Sequence, residues 1–177
     1  MQRLLALPAG QASRLVNVAD LASAFQLTRP TIRDYVVLLE RIFLLEHLPS
    51  WHSNRLSRLI KPPRLHLADS GLAATLPGLD TGKLLKDRPM PGQLLETFVF
   101  QEIRRQASFG EKPMTFHHFL DKDGAEVDIL LERGALEVAG VKIKAAATVT
   151  PAEFRGLKKL EDAAGDRFIT AVALYDW

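Results

Sequence analysis

The stretch that decides the fold runs Glu126-Val127-Asp128-Ile129-Leu130-Leu131-Glu132 and then, past Arg133-Gly134-Ala135-Leu136, Glu137-Val138-Ala139-Gly140-Val141-Lys142-Ile143-Lys144. The first block is short, apolar-rich and bounded by Gly124 and Gly134, which predicts a strand over 126–132. The second predicts a strand over 136–144, interrupted at Ala139-Gly140. Working outward, Met114–Leu120 reads as a further strand. Before it, Gly92–Ala107 places Leu94, Leu95, Phe98, Val99 and Ile103 on one helical face. After it, Thr150-Pro151 opens a helix through about Ala163, with Phe154, Leu157 and Leu160 in register. Arg167–Tyr175 reads as a final, mostly buried strand. The predicted order is therefore α-β-β-β-α-β.

That order resembles the core of the restriction-endonuclease-like, or PD-(D/E)XK, fold. The resemblance implies an acid at the start of the second core strand and another on the third, which hold Mg²⁺ through hard oxygens. It also implies a lysine two residues after the second acid, on the same face because side chains alternate with period two. An extra acid often projects from the first helix. Here Glu96 lies on that helix, Asp128 on the second strand with Glu126 two positions before it, and Lys144 at the motif lysine. Lys142 stands where the second acid is expected. An ammonium among metal ligands repels Mg²⁺ and removes one ligand. Glu137, the nearest acid, lies five residues from Lys142 and points to the other face of a regular strand, unless a bulge at Ala139-Gly140 brings it round. The candidates are thus Glu96, Asp128 and Lys144 as catalytic remnants, and Asp128 with Glu137 as metal ligands, with Mg²⁺ the cofactor of an active site. Each also has a plain reading as a solvated helix or strand face.

The N-terminal half has a different pattern. Leu21, Ala24, Phe25 and Leu27 fit one face of a short helix, capped by Asn17 or Asp20. Thr28 is a good N-cap for the next helix, with Pro30 in its first turn, where a missing N–H costs nothing. Ile32, Tyr35, Val36, Leu38, Leu39, Ile42 and Phe43 continue in helical register. Two helices joined by a tight turn form a helix-turn-helix pattern. Phe43–Leu48 then reads as an edge strand and Arg64–Asp69 as its partner, so the whole reads as a winged helix. Arg55, Arg58, Lys61 and Arg64 lie on the arms or tip of the hairpin, with no acid between Trp51 and His66. Trp51 either packs beneath the wing or stacks on a base. Pro77, Gly78, Gly82, Pro89, Pro91 and Gly92 mark a linker.

Charge follows the same division. The 177 residues carry a formal charge of +2. Residues 1–65 hold nine Lys/Arg against four acids, and residues 66–177 fourteen against seventeen. A basic first half suits a nucleic-acid or other acidic partner. There is no cysteine, which excludes disulfides, cysteine–zinc sites and thiol chemistry. No Gly-rich phosphate loop is present, so this chain does not hydrolyse ATP by that route. No secretory signal or membrane span is expected, and a cytoplasmic protein is the default. His117 and His118 are adjacent, so on a regular strand they face opposite ways and do not chelate one metal.

Taken together, the residues resemble a family of C-terminal domains of unknown function that follow an AAA-type ATPase module in many prokaryotic ATP-binding proteins. The likeness runs from about residue 3 to 176. It is carried by Leu27-Thr28-Arg29-Pro30-Thr31-Ile32-Arg33, Leu38-Leu39-Glu40 with Phe43-Leu44, and Leu48-Pro49-Ser50-Trp51. Lys61-Pro62-Pro63-Arg64-Leu65, Leu67-Ala68-Asp69-Ser70-Gly71 and Gly92-Gln93-Leu94-Leu95-Glu96-Thr97-Phe98-Val99 follow, then Glu126-Val127-Asp128, Lys144–Val149 and Phe154-Arg155-Gly156-Leu157. The resemblance implies a winged helix joined to a PD-(D/E)XK-like module, with the ATPase part upstream. Such domains show Glu-x-Lys where this chain has Lys142-Ile143-Lys144.

The expectation is a mixed α/β (α+β) chain: a winged helix-turn-helix over 1–76, a linker over 77–91 and a nuclease-like domain over 92–177. Thr28, Arg29, Thr31 and Arg33 would face the DNA major groove, and Arg55, Arg58 and Lys61 would neutralise phosphates. The expected partners are DNA and an AAA-type ATPase in cis or trans, with no membrane. Active Mg²⁺-dependent cleavage and pure protein docking are the competing readings.

Overall fold

The computed structural model describes residues 17–58, 61–76, 78, 89–134 and 136–175. They form a mixed α/β structure with two sheets. Two compact units emerge, one drawn from the spans Met1–His47 and Pro62–Gln101, the other from Leu48–Lys61 and Glu102–Trp177. This division differs from a single break at a linker. Most of the 77–91 linker lies outside the described residues, and its last three residues begin a helix.

In the first unit, α1 (Val18–Phe25) is capped by Asn17, whose Oδ1 accepts from the Ala19 N–H at 2.9 Å. It ends at Gln26, which takes a left-handed conformation (φ 56°) and returns its N–H to Ala22 and Ser23. Helix α2 (Arg29–Arg41) starts after only Leu27 and Thr28. Thr28 Oγ1 accepts from the Thr31 N–H, and Pro30 occupies the first turn, where no donor is lost. Leu21, Ala22 and Ile32 bury the seam between the helices. Strands β1 (Leu45–Leu48) and β2 (Arg64–Leu67) pair as a two-stranded sheet. Helix α4 (Ser70–Thr75) follows, capped by Asp69 onto the Leu72 N–H. Leu39, Leu45, Leu65, Leu67 and Ala73 form the second core cluster of this unit, with Leu94 of α5 (Pro89–Ser108) against it.

The segment between β1 and β2 behaves differently from the hairpin tip expected of it. It contains a single helical turn, α3 (Arg55–Arg58), and clusters with the second unit. The reason is local. Trp51 donates its N–H to His118 O at 2.7 Å, and His118 donates back to Pro49 O at 2.9 Å. The Trp51 ring is fully buried among Phe119, Val127, Leu130, Val138, Leu157, Leu160 and Ala164. Burying a side chain of this size contributes about 3 kcal/mol or more.

The second unit is built on one sheet in the order β3 (Met114–Leu120), β4 (Glu126–Arg133), β5 (Glu137–Lys144), β6 (Phe168–Tyr175). The first two pairings are antiparallel and β5 with β6 is parallel. The parallel pair is joined through α6 (Arg155–Ala164) and a short 3₁₀ turn. Strand β5 runs unbroken through Ala139-Gly140, contrary to expectation. Gly140 is there because α6 lies against it: a Cβ would stand 2.9 Å from Leu160 Cδ2 and 3.1 Å from Leu157 Cδ2. Gly156 works the same way from the helix side, where a Cβ would fall 1.9 Å from the Glu126 carbonyl oxygen.

Two further expectations are corrected. Helix α6 begins at Arg155, because residues 151–154 form turns closed by Thr150, whose N–H and hydroxyl both donate to Glu153 Oε2. Strand β6 is not mostly buried. It pairs with β5 on one side, and Ile169, Val172, Leu174 and Tyr175 remain substantially exposed, Ile169 at 61%.

Candidate functional site

Strand β4 carries an irregularity at the acids. His117 pairs with Leu130 and Phe119 with Val127, so Asp128 and Ile129 together stand opposite the single residue His118. Such a bulge re-aims side chains locally. Asp128 is buried (2% exposed). Its Oδ2 accepts the Ile143 backbone N–H at 2.7 Å, and its Oδ1 accepts from Lys142 Nζ at 3.1 Å. The same ammonium donates to Glu126 Oε1 at 3.0 Å. Burial alone would favour the neutral amine. The charges of Asp128 and Glu126 outweigh it and hold the Lys142 pKa above the ordinary lysine value.

Glu126, Asp128 and Lys142 are thus brought together. The other nuclease-type candidates are placed elsewhere. Lys144 is exposed and pairs with Glu153 at 3.0 Å. The Glu153 pKa falls to about 2 through hydrogen bonds from Thr150 and Lys144. Glu137 begins β5, paired with Arg133 of the adjoining strand end. The β4–β5 register is regular from Glu137 to Val141, so no bulge there turns Glu137 toward Asp128. Glu96 belongs to the first unit, where Arg64 NH1 donates to its Oε2 at 3.5 Å.

The residues present do not fit Mg²⁺. That ion asks for near-octahedral oxygens at about 2.1 Å. At Asp128 and Glu126 one carboxylate oxygen of each already faces the Lys142 ammonium, and a backbone N–H holds the other oxygen of Asp128. Among the described residues no group of three or more His, Cys, Asp or Glu side chains is arranged to hold a metal.

Of the nucleic-acid candidates, Thr28 and Thr31 serve the helix start, their hydroxyls 2.8 Å apart. Arg29 and Arg33 are exposed on the first turns of α2. Arg58 and Lys61 belong to the second unit. Lys61 Nζ donates to Leu120 O at 3.2 Å, and Arg58 NH1 and NH2 donate to Glu132 at 2.6 and 3.1 Å. The Arg55 side chain lies outside the described residues.

Glu132 was not anticipated from the sequence. It is buried, and besides Arg58 it accepts from Trp51 Nε1 at 3.4 Å, with His117 Nε2 at 3.5 Å. Burial works against its charge, but Arg58 prevails and keeps the carboxyl below its usual pKa. Burial, then the charge of Arg58, depress the His117 pKa to about 4, so the ring is neutral near pH 7. Arg58 and Arg167 both lie near the Trp51 ring, at 5.2 and 5.3 Å from its centroid. The only sequence signal for this cluster is the acid at the apolar end of β4.

Comparison with known proteins adds the following. Residues 1–83 match a domain of unknown function, DUF8612, and residues 91–177 match a second, DUF4143. Uncharacterized proteins of Mycobacterium bovis (Mb2031c) and Mycobacterium tuberculosis (Rv2008c) are each 25% identical to the chain over 158 residues. The match covers 89% of this chain and 34% of theirs, so the chain spans about a third of the length of these relatives. No solved structure matches it. Among the described residues no helix is long and apolar enough to cross a membrane.

Proposed function

We propose that the chain is an accessory module of a prokaryotic AAA-type ATPase, with a nucleic-acid-binding helix-turn-helix unit and a nuclease-like unit that no longer cuts. The observation that carries the non-cutting part of this reading is the Lys142 ammonium, 3.0 and 3.1 Å from Glu126 and Asp128. The α-β-β-β-α-β order, with its two antiparallel pairings and one parallel crossover, supports a PD-(D/E)XK-like origin for the second unit. The association of DUF4143 with AAA ATPases supports the ATPase context. The short α1–α2 turn and the exposed Arg29 and Arg33 support α2 as the helix that meets nucleic acid, with phosphates held by those two side chains.

The test is direct. The protein is incubated with supercoiled plasmid and Mg²⁺ or Mn²⁺, and its DNA binding is followed at several salt concentrations. The reading expects salt-sensitive binding and no nicking. Cleavage abolished by Asp128→Ala overturns the non-cutting half, and binding indifferent to salt overturns the other.

A specific observation favours a second reading. Val37, Leu38, Ile42 and Phe43 on and just after α2 are exposed, Phe43 at 79%. An apolar surface of this kind suits docking onto a protein such as the ATPase itself. Tight association with an AAA-type ATPase and no DNA shift would select it.

A further inference from the structure

We propose that the Lys142 ammonium is a built-in replacement for a divalent cation, so that this unit keeps an acid pair at Glu126 and Asp128 while dispensing with metal. The inference rests on the nuclease-like reading of the second unit and says what became of its cation. Three observations carry it. The acids have not been lost: Asp128 is buried and Glu126 stands beside it, and both point an oxygen at one atom, Lys142 Nζ. The cation comes from the strand position where the resemblance places a ligand, so one residue change both removes a donor and supplies the charge. Asp128 Oδ2 also accepts the backbone N–H of Ile143, the residue next to Lys142, which joins β5 to β4 at this point.

A buried carboxylate without a counter-charge is costly, whereas the same carboxylate facing a cation is tolerated. Lys142 therefore makes the fold independent of divalent ions. Its removal leaves the buried Asp128 in need of another cation, which Mn²⁺ or Mg²⁺ would supply, with Glu126 beside it as a second hard oxygen ligand.

The experiment uses the full chain as wild type, Lys142→Met and Lys142→Glu, and each of these three combined with Asp128→Asn. Mn²⁺ binding is followed by electron paramagnetic resonance, and melting is measured in EDTA and in Mn²⁺. The wild type is expected to bind no Mn²⁺ at this site and to melt at the same temperature in both buffers. Lys142→Met should melt about 5–15 °C lower in EDTA and recover part of that loss in Mn²⁺. Lys142→Glu should bind one equivalent, and Asp128→Asn should abolish both the recovery and the binding. One equivalent of Mn²⁺ on the wild type, lost in Asp128→Asn, would overturn the proposal. So would folded variants that neither bind nor respond to Mn²⁺, or variants that stay unfolded even in Mn²⁺. None of these readouts depends on DNA binding or cleavage. Failure of the α2 interface leaves the replacement intact, and failure of the replacement leaves the α2 interface intact.

Discussion

Arg58 grips Glu132 through two guanidinium nitrogens, at 2.6 and 3.1 Å, across 74 residues of chain. Both side chains are largely shielded from solvent. Removing Arg58 takes the close counter-charge from a buried carboxylate and leaves only Arg167 at 4.0 Å, so Arg58→Met should destabilise the protein by about 3 kcal/mol. The double variant Arg58→Met/Glu132→Leu removes both charges and should be more stable than Arg58→Met alone. Urea unfolding of the four proteins in the cycle measures this, and additive losses would show that the pair is not coupled.

His117 makes stability fall on mild acidification. Its ring is buried beside Arg58, Glu132 and Thr115, and its folded pKa is about 4 against 6.5 for a free histidine. The unfolded chain therefore binds the extra proton first. This contribution is complete above pH 6.5 and is lost as pH falls through about 4, up to about 3 kcal/mol in all. Melting temperatures between pH 7.5 and 4.5 should show a slope that flattens in His117→Leu. An unchanged slope would assign the effect to other groups.

Gly156 and Gly140 separate by what surrounds them. A methyl at 156 meets backbone, the Glu126 carbonyl, which has nowhere to go. A methyl at 140 meets the flexible ends of Leu157 and Leu160. Gly156→Ala should cost at least about 2 kcal/mol despite the better helix propensity of alanine, and Gly140→Ala should cost less. Chemical denaturation that reverses this order would contradict the packing of α6 on the sheet.

Arg29 and Arg33 test the nucleic-acid reading. If each holds one phosphate, Arg29→Ala and Arg33→Ala should weaken binding to all DNA sequences alike and each lower the salt slope by about 1. Fluorescence anisotropy at 50–200 mM salt reads both effects. Variants with wild-type slopes would remove α2 from the interface.

The sequence was most legible where local chemistry decides the outcome. Thr28 and Pro30 locate the start of α2, and the pattern of 114–120 marks β3 to the residue. It was misleading where a tertiary neighbour sets the residue. Gly140 reads as a strand break, yet it is a contact surface for a helix whose approach lies outside any local window. Arg58 reads as a free cation until Glu132 is placed beside it, and Trp51 proved to be core, though of the second unit and not of a wing. For the acid pair, the mismatch at Lys142 was plain in the motif. The bulge that sets Asp128 and Ile129 opposite His118 was not, because nothing in β4 itself marks it.

The loan of residues 48–61 to the second unit has a consequence for inheritance. The chain passes from one unit to the other three times, at His47/Leu48, Lys61/Pro62 and Gln101/Glu102. The two domain matches, by contrast, part once, between residues 83 and 91. A gene that kept only the second match would encode the four-stranded sheet without Trp51 and Arg58, leaving a hole in its core and Glu132 without its two-point guanidinium partner, with only Arg167 at 4.0 Å as a cation. The first match therefore carries structural parts of the unit that the second match otherwise encodes.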